Sequence, residues 1–387
     1  MNLIEVNSVE LSRDFIEMAP QFYKGDSNYI RPLDSDVEKV FQPSQNNFFN
    51  DGECIRWLLK GASGRYIGRI AAFYTKQEPR GADRPAGGCG FFECINDQKA
   101  ADILFDAAKE WLQSKGLEAM DGPINFGERN NWWGLLVDGF YKPCYMCNYN
   151  PAYYQTLFEN YGFQVYYKQY TYWRDVQEKL DTRYAERAKK ILQHKGYTFS
   201  HVDRANLEKA ATDFRTVYNK AWVKHAGVSE ISEKQANDLL KDMKPILDPR
   251  LIWFAYYEEE PIAFWISLPD VNELIVQKLN GKLTLWGKLL FLWRKLTNQC
   301  KTMFGVIFGV VPEHQKKGVE IALIVESALL VQSESMPYKN LQMNWIGDFN
   351  PKMMRVAEQI GAKIYKTHHT YRFLFDQSLV FERYPII

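Results

Sequence analysis

No stretch of this chain is apolar for long enough to span a bilayer. The longest candidate, Leu283 to Leu296, is broken by Lys288, Arg294 and Lys295 and falls short of the roughly 20 residues a spanning helix needs. Net charge is lacking too: 48 Lys and Arg against 47 Asp and Glu leave +1. No global field is therefore available to hold nucleic acid or an anionic surface nonspecifically. Cysteine is sparse, with 6 in 387 residues, which speaks against a disulfide framework. Cys144 and Cys147 form a lone Cys-x-x-Cys. A zinc site would need Cys89 and Cys94 to join them. Tyr141 to Tyr149 reads as extended, and residues three apart on a strand face opposite ways. Buried free thiols and no metal are expected. Residues 1–15 lack a basic start followed by an apolar run, so no secretory signal and a cytoplasmic location are expected.

What is present is length and aromatic mass. The 387 residues suit two cores better than one. Aromatics reach 15%, which fits thick cores or a long apolar groove.

The chain also repeats itself. Asn150-Pro151 leads through an amphipathic stretch to Gly162-Phe163, and Asn350-Pro351 leads likewise to Gly361-Ala362. Each glycine opens an aromatic-rich strand, Val165 to Tyr170 and Ile364 to His369. Upstream, Trp57-Leu58-Leu59 with Ile67 to Ala71 is matched by Trp253-Phe254-Ala255 with Pro261 to Trp265. The pattern predicts an α/β fold, a mixed α+β sheet in each of two tandem units.

The first unit spans 1–180, with strands near 2–8, 53–60, 65–75, 89–94, 118–124 and 163–175. A helix over Gln98 to Lys115 carries Ala101, Leu104, Phe105, Ala108 and Leu112 at helical spacing and stops at Gly116. A linker helix fills 181–196, closed by Gly196, and the second unit runs over 197–387. Its helix at Gly318 to Gln332 is apolar almost all round, so burial is expected. An insertion, 272–296, has an apolar face (Trp286, Leu289, Leu290, Leu292, Trp293) and basic residues Lys282, Lys288, Arg294 and Lys295. It reads equally as a lid over an apolar groove, a peripheral membrane contact or a packing helix pair.

In the second unit, strand residues Phe304 to Val311 run into Pro312-Glu313-His314-Gln315-Lys316-Lys317-Gly318-Val319 and then a helix. This resembles the acyl-CoA motif of the GNAT acyltransferases, in which Arg or Gln is followed after two residues by Gly, one residue, then Gly or Ala. A loop that opens a helix presents unpaired N–H groups and the positive dipole end to a pyrophosphate. By this resemblance Gln315, Lys316, Lys317, Gly318 and Val319 would face the pyrophosphate of acetyl-CoA or another acyl-CoA. Val310 and Val311 would pair with the pantetheine like a further strand. Asn350, at the start of the next matching helix, belongs to the same set. Glu320 departs from the family, because Gly or Ala is usual there and a carboxylate repels a diphosphate. The family's acidic tyrosine is replaced as well, by Phe158 in the first unit and Ala357 in the second. In the first unit Asp97 stands at the helix start, where a capping carboxylate fills the place of a phosphate, and no CoA binding is expected there.

The whole chain is similar to bacterial two-copy proteins of the GNAT superfamily. Gly90-Phe91-Phe92-Glu93-Cys94, Asp121 to Asn125, Gly134 to Phe140 and Tyr149 to Tyr154 carry the likeness, as do Lys244-Pro245-Ile246, Leu268-Pro269-Asp270 and Val311-Pro312-Glu313. The resemblance implies an acyl-CoA-dependent N-acyltransferase acting on a small-molecule or peptide amine. Tandem members transfer amino acids or fatty acyl groups, so the fold does not fix the acceptor. The replaced tyrosines and Glu320 fit equally a non-catalytic protein that holds an apolar ligand or a protein partner.

For the acceptor, the loop with Asn125, Glu128, Arg129, Asn130 and Trp132, followed by Asp138, mixes acid, base, amide and indole beside a sheet opening. Asp270 follows a Leu-Pro and lines the cleft or ends a strand. Glu313 is the candidate general base for the amine. His225, His314, His368 and His369 have no metal-ligand spacing and are expected on the surface.

Overall fold

The computed structural model describes residues 1–76, 84–222 and 230–386; His225 lies outside the described residues. The first unit contains β1 (Asn2–Glu5), α1 (Val9–Glu17), α2 (Asp34–Val40), β2 (Gly52–Lys60), β3 (Tyr66–Thr75), β4 (Ala86–Cys94), α3 (Gln98–Ser114), β5 (Ala119–Gly122), β6 (Leu135–Asp138), α4 (Tyr154–Tyr161) and β7 (Gln164–Asp175). The linker helix is α5 (Thr182–Leu192). The second unit repeats the order with β8 (Tyr197–His201), α6 (Leu207–Trp222), α7 (Glu233–Met243), β9 (Ile252–Tyr257) and β10 (Glu260–Pro269). The insertion follows as α8 (Val271–Leu274) and α9 (Leu285–Leu296). The repeat then resumes with β11 (Thr302–Val310), α10 (Val319–Val331), β12 (Asn340–Met343), β13 (Ile346–Gly347), α11 (Pro351–Gln359) and β14 (Lys363–Leu374).

Local chemistry accounts for the boundaries. Ser8 and Asp97 cap α1 and α3 by accepting from Leu11 N and Lys99 N. Left-handed Gly116 stops α3, and the matched glycines Gly162 and Gly361, at φ +109° and +81°, stop α4 and α11. The linker helix ends at Leu192, short of the expected 181–196. Gln193 caps it, and the His194 ring then accepts from Gly196 N, so a histidine-centred turn replaces the expected glycine stop. Helix α10 is less enclosed than its composition suggests. Its Val319, Ala322 and Leu323 are buried, but Leu329 is 63% exposed.

Alternation along β2 and β3 feeds two layers. Leu59, Ile70 and Ala72 face a core with α3 and α4, whereas Leu58, Ala71 and Phe73 face α1 and α2. No helix among the described residues is long and apolar enough to cross a membrane.

The two units do not close as separate sheets. One continuous sheet runs β1-β2-β3-β4-β5-β14-β7-β12-β11-β10-β9-β8, with β6 beside β14 and β13 beside β7. The last strand of each unit thus completes the sheet of the other. At the centre, β14 and β7 pair antiparallel from Lys363↔Trp173 to Arg372↔Gln164.

One face of β14 carries a row of buried polar side chains at period two: Lys366, His368, Thr370 and Arg372. All four are partnered. Lys366 Nζ donates to Lys142 O at 2.8 Å and Gln342 Oε1 at 3.0 Å. His368 Nε2 bonds Asn148 O at 3.2 Å, and Thr370 Oγ1 donates to Gln169 Oε1 at 2.9 Å. Arg372 pairs with Asp121 at 2.6 Å. His368 is therefore a buried, hydrogen-bonded residue rather than the surface histidine expected from sequence.

Burial holds the His368 imidazole neutral, lowering its pKa to about 4. In the unfolded chain it titrates near its ordinary 6.5. Between these values the unfolded chain takes up a proton that the folded one refuses. The stability conferred is full above pH 6.5 and is lost as pH falls through 4, by at most roughly 3 kcal/mol. The melting temperature should fall across that window, and His368→Gln should flatten the slope. An unchanged slope in the variant would assign the acid sensitivity to other groups.

Candidate functional site

The parallel strands of each unit separate after a short pairing, and the two gaps differ. In the first unit β4 pairs with β5 over Ala86–Gly88. Beyond the gap two tyrosines cover the end of β4. Tyr154 Oη accepts from Cys94 N at 2.9 Å and Tyr153 Oη donates to Cys94 O at 2.7 Å. Asp97 Oδ1 accepts from Lys99 N at 3.0 Å at the start of α3.

In the second unit β11 pairs with β12 only over Thr302–Gly305, then continues to Val310 beside β10. Phe304 to Phe308 remain half-buried, although β11 lies well inside the sheet. The matching stretch of β4 is almost wholly buried. At the end of β11, Val311 donates its N–H to Ile262 O, which turns it toward β10. Val310 O accepts from Gln315 Nε2 at 3.0 Å, so Gln315 folds back on the strand.

Gly318 caps α10 at φ +90° and Lys316 sits at φ +62°, so the loop ahead of the helix is tightly coiled. A Cβ on Gly318 would stand 3.4 Å from Ile191 of α5, and Tyr197 Oη lies 3.0 Å from His314 Nδ1. The linker side thus braces this loop. Lys316, Lys317 and Glu313 are exposed, and Val319 is buried as the first residue of α10. In the first turn Glu320 keeps a buried Oε2 without a hydrogen-bond partner. Asn350 caps α11, accepting from Met353 N at 3.1 Å. Phe158 and Ala357 are fully buried.

The proposed acceptor residues do not gather at that loop. Asn125 is buried with an unpartnered Oδ1, and Glu128 and Asn130 are exposed. The Arg129 carbonyl accepts from Trp345 Nε1 at 2.9 Å, and Asp138 is exposed at the end of β6. Asp270 is buried at the start of α8, accepting from Tyr145, Asn272 and Glu273 N–H groups. Burial pushes its carboxyl up to about 6 against those bonds. Of the set, Trp132 lines a cavity.

That cavity, of about 100 Å³, lies on the α1–α2 face of the first unit. At its base Glu93 accepts from Tyr154 at 2.7 Å and Tyr23 at 2.9 Å, with Arg69 at 3.4 Å. Arg69 keeps a buried Nε without a partner, and Tyr23 stacks on Tyr29 at 3.8 Å. Burial raises the Glu93 carboxyl above its ordinary range, opposed by Arg69 and the two tyrosines. Glu93 and Arg69 have no role in the sequence pattern alone. The available signal was a charge set among apolar residues in each of two neighbouring strands.

Strand directions separate this cavity from the glycine loop. From β4 to β11 the sheet passes two parallel and three antiparallel pairings, so these strands run opposite ways. The cavity and the Gln315–Val319 loop open at opposite sheet edges. Among the described residues no group of three or more His, Cys, Asp or Glu could hold a metal. Cys144 instead donates to Gln342 Oε1 at 3.2 Å.

Removing one member of the buried pair should cost more than removing both. Glu93→Leu strands the Arg69 charge and should destabilise by about 3–5 kcal/mol. Arg69→Met with Glu93→Leu should recover most of that in denaturant unfolding. A double variant no better than the single would place the cost in lost packing.

No protein-family model matches the chain. It is similar to the bacterial ceramide synthase of Caulobacter vibrioides (strain NA1000 / CB15N), 27% identical over 375 residues that cover 96% of this chain and 97% of that one. It is also similar to protein YghO of Escherichia coli (strain K12), 28% identical over 363 residues covering 92% and 91%. Among solved structures, a tandem GNAT protein from the clavulanic acid biosynthesis pathway matches with a TM-score of 0.55 at 8% identity. That match covers 96% of this chain and 98% of that one. The GCN5-related glucosamine N-acetyltransferase region of a fungal multi-domain GH3 β-N-acetylglucosaminidase matches with a TM-score of 0.56 at 11% identity. It covers 96% of this chain and 38% of that one. These likenesses identify a tandem GNAT fold.

Proposed function

Starting from the tandem GNAT fold that the chain carries, we propose that it is an acyl-CoA-dependent N-acyltransferase whose donor lies in the second unit. The observation that carries this reading is β11. It leaves β12 after Gly305, stays half-buried through Phe308, and delivers the chain to a glycine-capped helix. An unpaired strand edge suits a pantetheine, and an apolar half-open strand suits an acyl chain. The start of α10 supplies N–H groups and a positive dipole end for a pyrophosphate, with Lys316 and Lys317 exposed beside it. The first unit lacks these features, because Tyr153, Tyr154 and Asp97 occupy the equivalent places.

The acceptor is an amine. The Caulobacter relative is named for making ceramide, an N-acylated long-chain amino alcohol, and we assign a long-chain amine as acceptor here by that similarity. The amine nitrogen attacks the thioester carbonyl, forming the C–N bond as the C–S bond breaks. The proton leaves nitrogen for Glu313, exposed after β11, and the CoA thiolate takes a proton from water. Asn125, Trp132 and Asp270 are buried whereas Glu128, Asn130 and Asp138 are exposed, with Arg129 half-buried between them, so we do not carry the seven forward as one acceptor set.

The test is calorimetric titration with acetyl-CoA and longer acyl-CoAs. Gly318→Glu should abolish binding, since φ +90° disfavours any side chain and the new charge faces the pyrophosphate. Glu320→Ala should tighten binding by removing an anion. A charge about 5 Å away is worth on the order of 3 kcal/mol at an effective dielectric near 20, and less where water screens it. If neither substitution alters affinity, the donor is not held by this loop.

A further inference from the structure

We infer that α9 is a membrane-docking helix, which lays its outward apolar stripe into the surface of an anionic bilayer. Leu285, Trp286, Leu289, Leu292, Trp293 and Leu296 recur at helical spacing, yet this stripe faces solvent. Leu285 is 77% exposed and Trp286 and Leu296 are each 74% exposed. The opposite side fixes the helix to the body. Gly287 is buried, and Leu290 and Phe291 pack against Ile30, Leu33 and Val276. Arg294 donates to Leu274 O at 2.7 Å, and Lys295 to the Pro245 carbonyl. The helix is therefore held in place with its apolar side outward. A packing role accounts only for its inner side.

Charge selects the occupant. Although the whole chain is nearly neutral, residues 274–312 contain Lys278, Lys282, Lys288, Arg294, Lys295 and Lys301 and no acid. Carboxylates beside this segment are engaged: Glu17 with Lys282 at 3.4 Å, Asp34 with Arg31 at 2.8 Å, Asp248 with Arg250 at 2.8 Å, and Glu273 with the Thr302 N–H at 2.8 Å. Tryptophan and leucine on one side with lysines around them match the boundary between headgroups and acyl chains. A second copy suits this surface poorly, since apposed helices would bring like charges together with no acid between them.

The inference does not depend on acyl transfer. Flotation of the full chain with phosphatidylglycerol vesicles and with phosphatidylcholine vesicles tests it. The protein should float with phosphatidylglycerol, bind phosphatidylcholine far less, and release as salt screens the charges. Trp286→Ala with Trp293→Ala should weaken binding at least about tenfold, and Lys288→Gln about fivefold. Both sites are exposed, and unchanged melting temperatures would confirm that the variants fold. Protein that stays in solution with phosphatidylglycerol vesicles overturns the inference, as does flotation indifferent to the Trp286 and Trp293 changes. Dimerisation in solution that Trp286→Asp abolishes would instead assign the stripe to a second copy.

Discussion

The pairing of β14 with β7 is the constraint on which the rest of this molecule depends. Each strand is the last element of its own unit, and each lies in the other unit's sheet. Neither unit can close alone, so folding couples them. A sheet register slips easily when one face is not specified. Here Lys366, His368, Thr370 and Arg372 specify it, since a one-residue slip would turn four satisfied polar groups away from their partners. Unpartnered buried polar groups cost about 1–3 kcal/mol each, more when charged. The alternative registers are thereby penalised more heavily than apolar packing alone would manage.

Strand exchange also fixes the relation of the two gaps. Because β4 and β11 run oppositely, what one unit presents at one sheet edge the other presents at the opposite edge. The units then diverge in chemistry. The first fills its strand gap with Tyr153 and Tyr154 and buries Glu93 behind them. The second leaves its gap half-open and ends it in a glycine loop. The two units share one order of elements, and their side chains make one gap closed and the other half-open.

What could be read from the sequence was what local chemistry determines. The order of elements, the glycine stops at Gly116, Gly162 and Gly361, and the repeat all depend on neighbours a few residues away. The exchange of β7 and β14 was not legible. An aromatic-rich strand is equally compatible with its own sheet or the partner's, and nothing local chooses. For the same reason His368 looked like surface: a polar residue on a strand is buried only if distant groups such as Asn148 meet it. The loop at Gln315–Val319 was visible because its conformation is local. The cavity around Glu93 was not, since Arg69, Tyr23 and Tyr154 come from three separate elements.

The insertion acquires a meaning from where β11 begins and ends. Helix α9 stops at Leu296, β11 starts at Thr302, and the glycine loop follows Val310. One strand therefore connects the outward apolar helix at one sheet edge to the loop at the other. Its middle, Phe304 to Phe308, is half-buried. A soluble carrier with a charged pyrophosphate and a long-chain amine favour opposite surroundings, water for one and hydrocarbon for the other. On the proposed function, a continuous sheet with oppositely running strands lets a single protein face both. On that reading the Gln315–Val319 loop takes the pyrophosphate at one end of β11, while α9 meets the bilayer near the other end.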